Sequence, residues 1–226
     1  MNMRVLLEIW KTKTFTILFL AGFLTSVARW FEVFLFSVIA WKLTGNASIA
    51  ALLIMLRLLG VAVTGLTFSF AGTFVERKIV VVGASLICSL LSMAVFIYSQ
   101  TGSNINVYLL GLLSAVSGSL WSVDFSFRRR MLADTLPKEL LSTGVSIDVL
   151  SSHATRLIGP LLGGIILTLF QYEFMILFLG IFYLFSLIFL FPHKDNNSNL
   201  QKQNSLLIGF KEVINESIQN RNLLLV

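Results

Sequence analysis

Six stretches of this 226-residue chain are apolar for long enough to cross a lipid bilayer, and that feature constrains its fold most. A spanning helix needs about 20 apolar residues, because a rise of ~1.5 Å per residue must cover ~30 Å of hydrocarbon. The stretches run over about 14–41, 48–72, 79–99, 105–127, 142–170 and 174–191. Turn-forming residues separate them: Thr44-Gly45-Asn46 after the first, Gly102-Ser103-Asn104 after the third and Pro137 after the fourth, while Pro192 closes the sixth. Composition agrees. Hydrophobic residues make up 56% of the chain and charged residues 12%, against roughly 25% charged in soluble domains. The bilayer is therefore the expected solvent, and an all-α membrane protein the expected class. Residues 1–192 read as a six-helix bundle and 193–226 as a polar linker with an amphipathic helix leading toward a seventh span.

The first span is too long for a signal peptide and contains Arg29 and Glu32, so it reads as a retained helix. With the N-terminus inside, Arg4, Lys11, Lys13, Arg77, Lys78, Arg128, Arg129, Arg130, Lys138, Lys194, Lys202, Lys211 and Arg221 fall on the cytoplasmic side. Lys42 alone falls outside. This asymmetry predicts two cytoplasmic termini in a multi-pass protein of the cell membrane. It also accounts for the net charge of +6 without nucleic acid. One cysteine, Cys88, and two distant histidines offer no disulfide and no metal cluster, and no motif asks for a cofactor.

Charges within spans are costly, at least about 2.5–3.5 kcal/mol each near the bilayer centre unless paired or hydrated. They fall on the first span (Arg29, Glu32), the second (Arg57), the fourth (Asp124) and the fifth (Asp148, Arg156). These four helices are expected to enclose a polar interior that serves as a substrate or proton pathway. The third span and the Phe-rich sixth, with Phe178, Phe182, Phe185 and Phe189, are expected to face lipid. Arg29 and Glu32, three apart, are expected to be neighbours on one face. Asp148, Ser152 and Arg156 form a stripe with His153 beside it. Three cations balance three anions, so buried ion pairs that only hold helices together are the plainer alternative.

The second span contains Arg57-Leu58-Leu59-Gly60 with Gly65 beyond it, and the fifth contains Arg156-Leu157-Ile158-Gly159 with Gly164 beyond it. The two spans cross in opposite directions, the pattern of a 3+3 inverted repeat. A different class of function, an intramembrane serine protease, would pair Ser119 with His153. The two residues lie on different spans, and the G-x-S-G context is absent.

On these residues the chain resembles the major facilitator superfamily, as the six-helix half of a twelve-helix fold. Gly72-Thr73-Phe74-Val75-Glu76-Arg77-Lys78 looks like the family's G-x-x-x-D-R loop, with Glu76 in place of Asp. Gly159-Pro160-Leu161-Leu162-Gly163-Gly164 resembles the G-P-x-x-G-G of antiporters, with Thr155 where a glycine is common. Trp121 to Arg130, Asp134, Pro137 and the Gly209-Phe210-Lys211 helix leading to Asn220-Arg221-Asn222-Leu223 resemble an exporter branch that includes enterobactin and macrolide efflux proteins. The resemblance implies a secondary transporter of a small molecule, with Gly72, Glu76 and Arg77 in a conformational switch. Gly159, Pro160, Gly163 and Gly164 would shape the fifth helix. It also implies a further partner for the bundle besides lipid, a C-terminal half or a second copy; the alternative expectation is a truncated or split half-transporter, inactive without a C-terminal half.

Overall fold

The computed structural model describes residues 8–71, 76–101 and 105–190, the side chains of 66–71 excepted. The described residues contain six helices of membrane-spanning length and apolarity and no strand. They are α1 (Lys13–Thr44), α2 (Ala47–Ala71), α3 (Arg77–Gln100), α4 (Val107–Asp134), α5 (Lys138–Leu169) and α6 (Tyr172–Leu190). Gly72 and the expected linker with its amphipathic helix lie outside the described residues.

The boundaries follow the turn chemistry. Gly45 adopts the left-handed conformation (φ 64°) that closes α1, its N–H reaching the Trp41 carbonyl at 2.8 Å. Asn46 then accepts from the Ser48 N–H at 2.9 Å and starts α2. Asn106 caps α4 by accepting from Leu109 N–H at 2.8 Å. Pro137 heads α5, where a missing N–H costs nothing. Pro160 lies inside α5 and denies the Arg156 carbonyl its donor four residues on.

Connectivity follows the internal repeat. α2 packs chiefly on α4, and α5 packs chiefly on α1; α3 packs on α4, and α6 packs on α1. Exchanging each helix for the one three places along the chain turns each pairing into the other. The Arg-x-x-Gly motifs explain the closest approaches. A Cβ on Gly60 would strike the Ala115 carbonyl, and one on Gly118 the Arg57 carbonyl, so α2 and α4 touch backbone to backbone. Gly159 meets the backbone of Trp30 and Phe31 in the same way. Where lipid is as apolar as the side chains, close packing of small residues replaces the hydrophobic effect as the adhesive.

Two apolar clusters fill the bundle. One gathers Phe31, Leu35, Ile39, Leu110, Met175 and Leu179, and the other Phe15, Leu18, Val81, Phe127, Leu132 and Leu187. Burial within the described helices does not follow the expected division into four inner and two outer helices. The most apolar stretches of α3 and α6 are 39% and 44% buried, those of α2 and α5 only 17%. Helices α3 and α6 also pack on each other, with Ser89 Oγ donating to the Gly180 carbonyl at 3.0 Å. Of the four phenylalanines assigned to lipid, Phe178 and Phe182 pack against the first cluster and Phe189 against the second. Phe185 alone of the four is exposed. Periodicity marks which residues are apolar; it does not say whether an apolar face meets lipid or another helix.

Candidate functional site

The charged residues of the spans meet in two networks, both anchored on α1. In the first, Glu32 accepts from Arg57 of α2 at 3.2 Å and from the Tyr183 hydroxyl of α6 at 3.0 Å. Cys88, Ser92 and Ser117 line a void of only about 20 Å³ beside Glu32. In the second, charges alternate across three helices. Arg29 of α1 pairs with Asp124 of α4, whose carboxylate also lies 3.8 Å from Arg128. Arg128 in turn donates to Asp148 of α5 at 3.2 Å, and Arg129 does so at 3.1 Å.

The intrahelical pairing expected of Arg29 and Glu32 is replaced by pairing between helices. Residues three apart on a helix diverge by ~60° around its axis, enough to aim one at α4 and the other at α2 and α6. Asp148 and Arg156 likewise part company, one toward α4 and the other toward α1. Arg156 lies over the Trp30 ring at 5.2 Å.

A second correction concerns α4. The apolar run ends near Phe127, which assigns Arg128–Arg130 to a cytoplasmic loop. The helix instead continues to Asp134, and Arg128 is 1% exposed, deep in the bundle. Its guanidinium fills the space where a Cβ on Gly22 would stand. The position four residues after Asp124 was a legible signal for an ion pair. Tyr183 gave no signal, being one aromatic in an aromatic span.

Two tryptophans organise the arginines. Trp30 and Trp121 meet edge to face with ring centroids 6.1 Å apart. Arg57 and Arg29 lie over Trp121 at 5.6 and 5.9 Å, as Arg156 lies over Trp30. A guanidinium over an indole face is held by the ring quadrupole, more strongly where water is excluded. The repeat is thus visible in chemistry: the arginine of each Arg-x-x-Gly motif sits on a tryptophan of the helix against which its glycine packs.

Between α1, α4 and α5 lies a cavity of about 140 Å³. Arg29, Arg129, Arg156 and His153 line it, with Ser26, Ser152 and the two tryptophans. Asp124 and Asp148 stand behind the arginines as their partners, whereas Arg57 and Glu32 belong to the other network. Ser119 lies apart from His153, in a groove of about 400 Å³ between α2, α3 and α4, and its hydroxyl donates to the Ala115 carbonyl at 3.0 Å. Outside the bundle core, Arg77 at the start of α3 pairs with Asp134 at the end of α4. Glu76, beside Arg77, is exposed. Gly159 and Gly163 are buried against α1, at Trp30 and the Phe34 ring, while a Cβ on Gly164 would meet nothing.

A sequence profile of the Major Facilitator Superfamily matches residues 18–225. No curated protein and no solved structure matches the chain.

Proposed function

Because the chain belongs to the Major Facilitator Superfamily and is thus a multi-pass membrane transporter, we propose that it exports a small amphiphilic molecule, such as a drug or siderophore, in exchange for protons. The observation that supports this reading most is the arginine-lined cavity between α1, α4 and α5, at the middle of α1 and α5, where charge is costly unless it is paired or hydrated. Protonation of Glu32 would release Arg57, and protonation of Asp148 would release Arg128 and Arg129. Either event reweights the packing of α1 against its neighbours, and through it the inward-open and outward-open states. In this reading both termini are cytoplasmic, the membrane is the plasma membrane, and Arg77 with Gly72 and Glu76 belongs to the switch. The exposed apolar faces of α2 and α5 favour a second six-helix body, a C-terminal half or a second copy, closing the pathway.

The test is retention of candidate drugs or siderophores in cells carrying Glu32→Gln or Asp148→Asn. Export is expected to fall at least tenfold in one of them with expression unchanged. Undiminished export by both variants removes these carboxylates from the mechanism.

A further inference from the structure

The cavity between α1, α4 and α5 is lined by three guanidinium groups and an imidazole but by no carboxylate. The carboxylates behind it already face arginines, although Asp124 Oδ1 is itself buried without a hydrogen-bond partner among the described residues. Asp124 serves Arg29 and Arg128, and Asp148 serves Arg128 and Arg129. Three arginines on two carboxylates leave one positive charge over. Arg156 adds another: among the described residues it has no carboxylate partner, only the face of Trp30. Glu32 offsets neither, since Arg57 and Tyr183 occupy it. The balance of three cations and three anions expected from the spans is therefore five against three.

The surplus has a direction. Nη1 of Arg29 is buried without a hydrogen-bond partner, on a side chain 5% exposed that lines the cavity. A buried donor left unpaired is unfavourable and gains from any acceptor that enters. The hydroxyls of Ser26 and Ser152 add polar groups on the same walls, and Trp30 and Trp121 supply flat apolar ones.

We infer that this cavity binds an organic anion in which the charge is carried on a flat aromatic ring, as in an aryl carboxylate. The anion lies between Arg29 and Arg156, and the ring packs on Trp30 and Trp121. A guanidinium fork matches a carboxylate with two parallel hydrogen bonds; the buried Arg29 acts at low dielectric, while Arg156 and His153 stand exposed at the open side of the cavity. The volume of about 140 Å³ is below the ~300–1,000 Å³ of sites for drug-sized ligands. It accommodates a charged head group rather than a whole molecule of that size. Cationic amphiphiles are repelled by the same surplus. The inference rests on the transport reading for calling the ligand a substrate, but not for its charge.

The test measures binding of radiolabelled benzoate to the purified full-length protein in detergent, with benzylammonium, benzyl alcohol and acetate as competitors. Benzoate is expected to bind at least about tenfold more tightly than benzylammonium, a difference of ~1.4 kcal/mol, and more tightly than acetate. Arg156→Gln is expected to weaken benzoate about tenfold and leave benzyl alcohol within twofold, and Arg156→Lys to recover part of the loss. Equal or tighter binding of benzylammonium overturns the inference, as does absence of saturable benzoate binding or indifference to Arg156→Gln in a variant that elutes as folded protein. Equal binding of acetate removes the aromatic requirement and overturns the inference as stated. If Arg156→Gln does not fold, the competitor series on the unaltered protein decides. Counterflow of benzoate in proteoliposomes separates the two readings. Selective binding without counterflow sinks the transport assignment alone, and transport that prefers the ammonium sinks the charge inference alone.

Discussion

The two networks that leave α1 differ in closure. Arg57, Glu32 and Tyr183 form a neutral set in which each cation meets one anion, and the adjoining void holds no more than a water. Arg29, Asp124, Arg128, Asp148 and Arg129 form an odd-numbered chain with a surplus cation and a cavity beside it. Both bury guanidinium groups in one bundle at similar depth of packing. Removing the carboxylate of the first network takes the anion from one arginine, whereas removing a carboxylate of the second takes it from two, because each carboxylate there faces two arginines. The first therefore has the character of a clasp between α1, α2 and α6, and the second that of a site held open for something negative.

The strongest way to break this contrast is to remove Asp148. Asp148→Leu leaves Arg128 with Asp124 alone, at 3.8 Å, and takes the carboxylate from the partly exposed Arg129, and the expected loss is about 3 kcal/mol, read as a fall in thermal unfolding temperature in detergent and in folded yield. A sharper comparison uses the clasp. Glu32→Leu alone is expected to cost about 3 kcal/mol, but Glu32→Leu with Arg57→Met and Tyr183→Phe, which leaves no buried donor without its acceptor, is expected to return to within about 1 kcal/mol of the parent, as matched removal of a buried network does. A triple variant as unstable as the single one would show that Arg57 has a further buried partner and that the clasp is not closed.

Next in size is Gly22→Ala. The added methyl occupies the place of the Arg128 guanidinium, and displacing it is expected to cost about 1–3 kcal/mol by the same thermal measurement. The two tryptophans provide a finer comparison. Trp121 underlies two guanidiniums and Trp30 one, so Trp121→Leu is expected to be the more destabilising by about 0.5–1 kcal/mol. Smallest is Arg77→Ala, which removes a half-exposed pair with Asp134. Its effect on stability is expected to stay under about 1 kcal/mol, so any larger loss of transport by this variant would report on switching rather than on folding.

Much of the bundle was legible before any coordinates. Length and hydropathy give six spans, Gly45 and Pro137 mark two of their ends, and the matching Arg-x-x-Gly segments announce the repeat. The site was legible in part. Arg29, Glu32, Arg57, Asp124, Asp148 and Arg156 stand out because ionised groups in hydrocarbon are conspicuous. Their partners were not. Arg128 escaped because an apolar run ends where the helix does not, and a charge near a span's end looks the same whether it faces water or folds inward. Tyr183 escaped because a single hydroxyl hardly alters the apolarity of its span.

The sequence by itself determined the solvent, the number of crossings and which side chains had to be sheltered, since each of these follows from the free energy of one residue or one segment in hydrocarbon. The tertiary structure alone decided who shelters whom. A rotation of ~60° along α1 separates Arg29 from Glu32 and sends them to different helices, and the extra turns of α4 bring Arg128 and Arg129 to Asp148. Charge balance in a bundle is a property of distances between helices, and no segment carries that information alone.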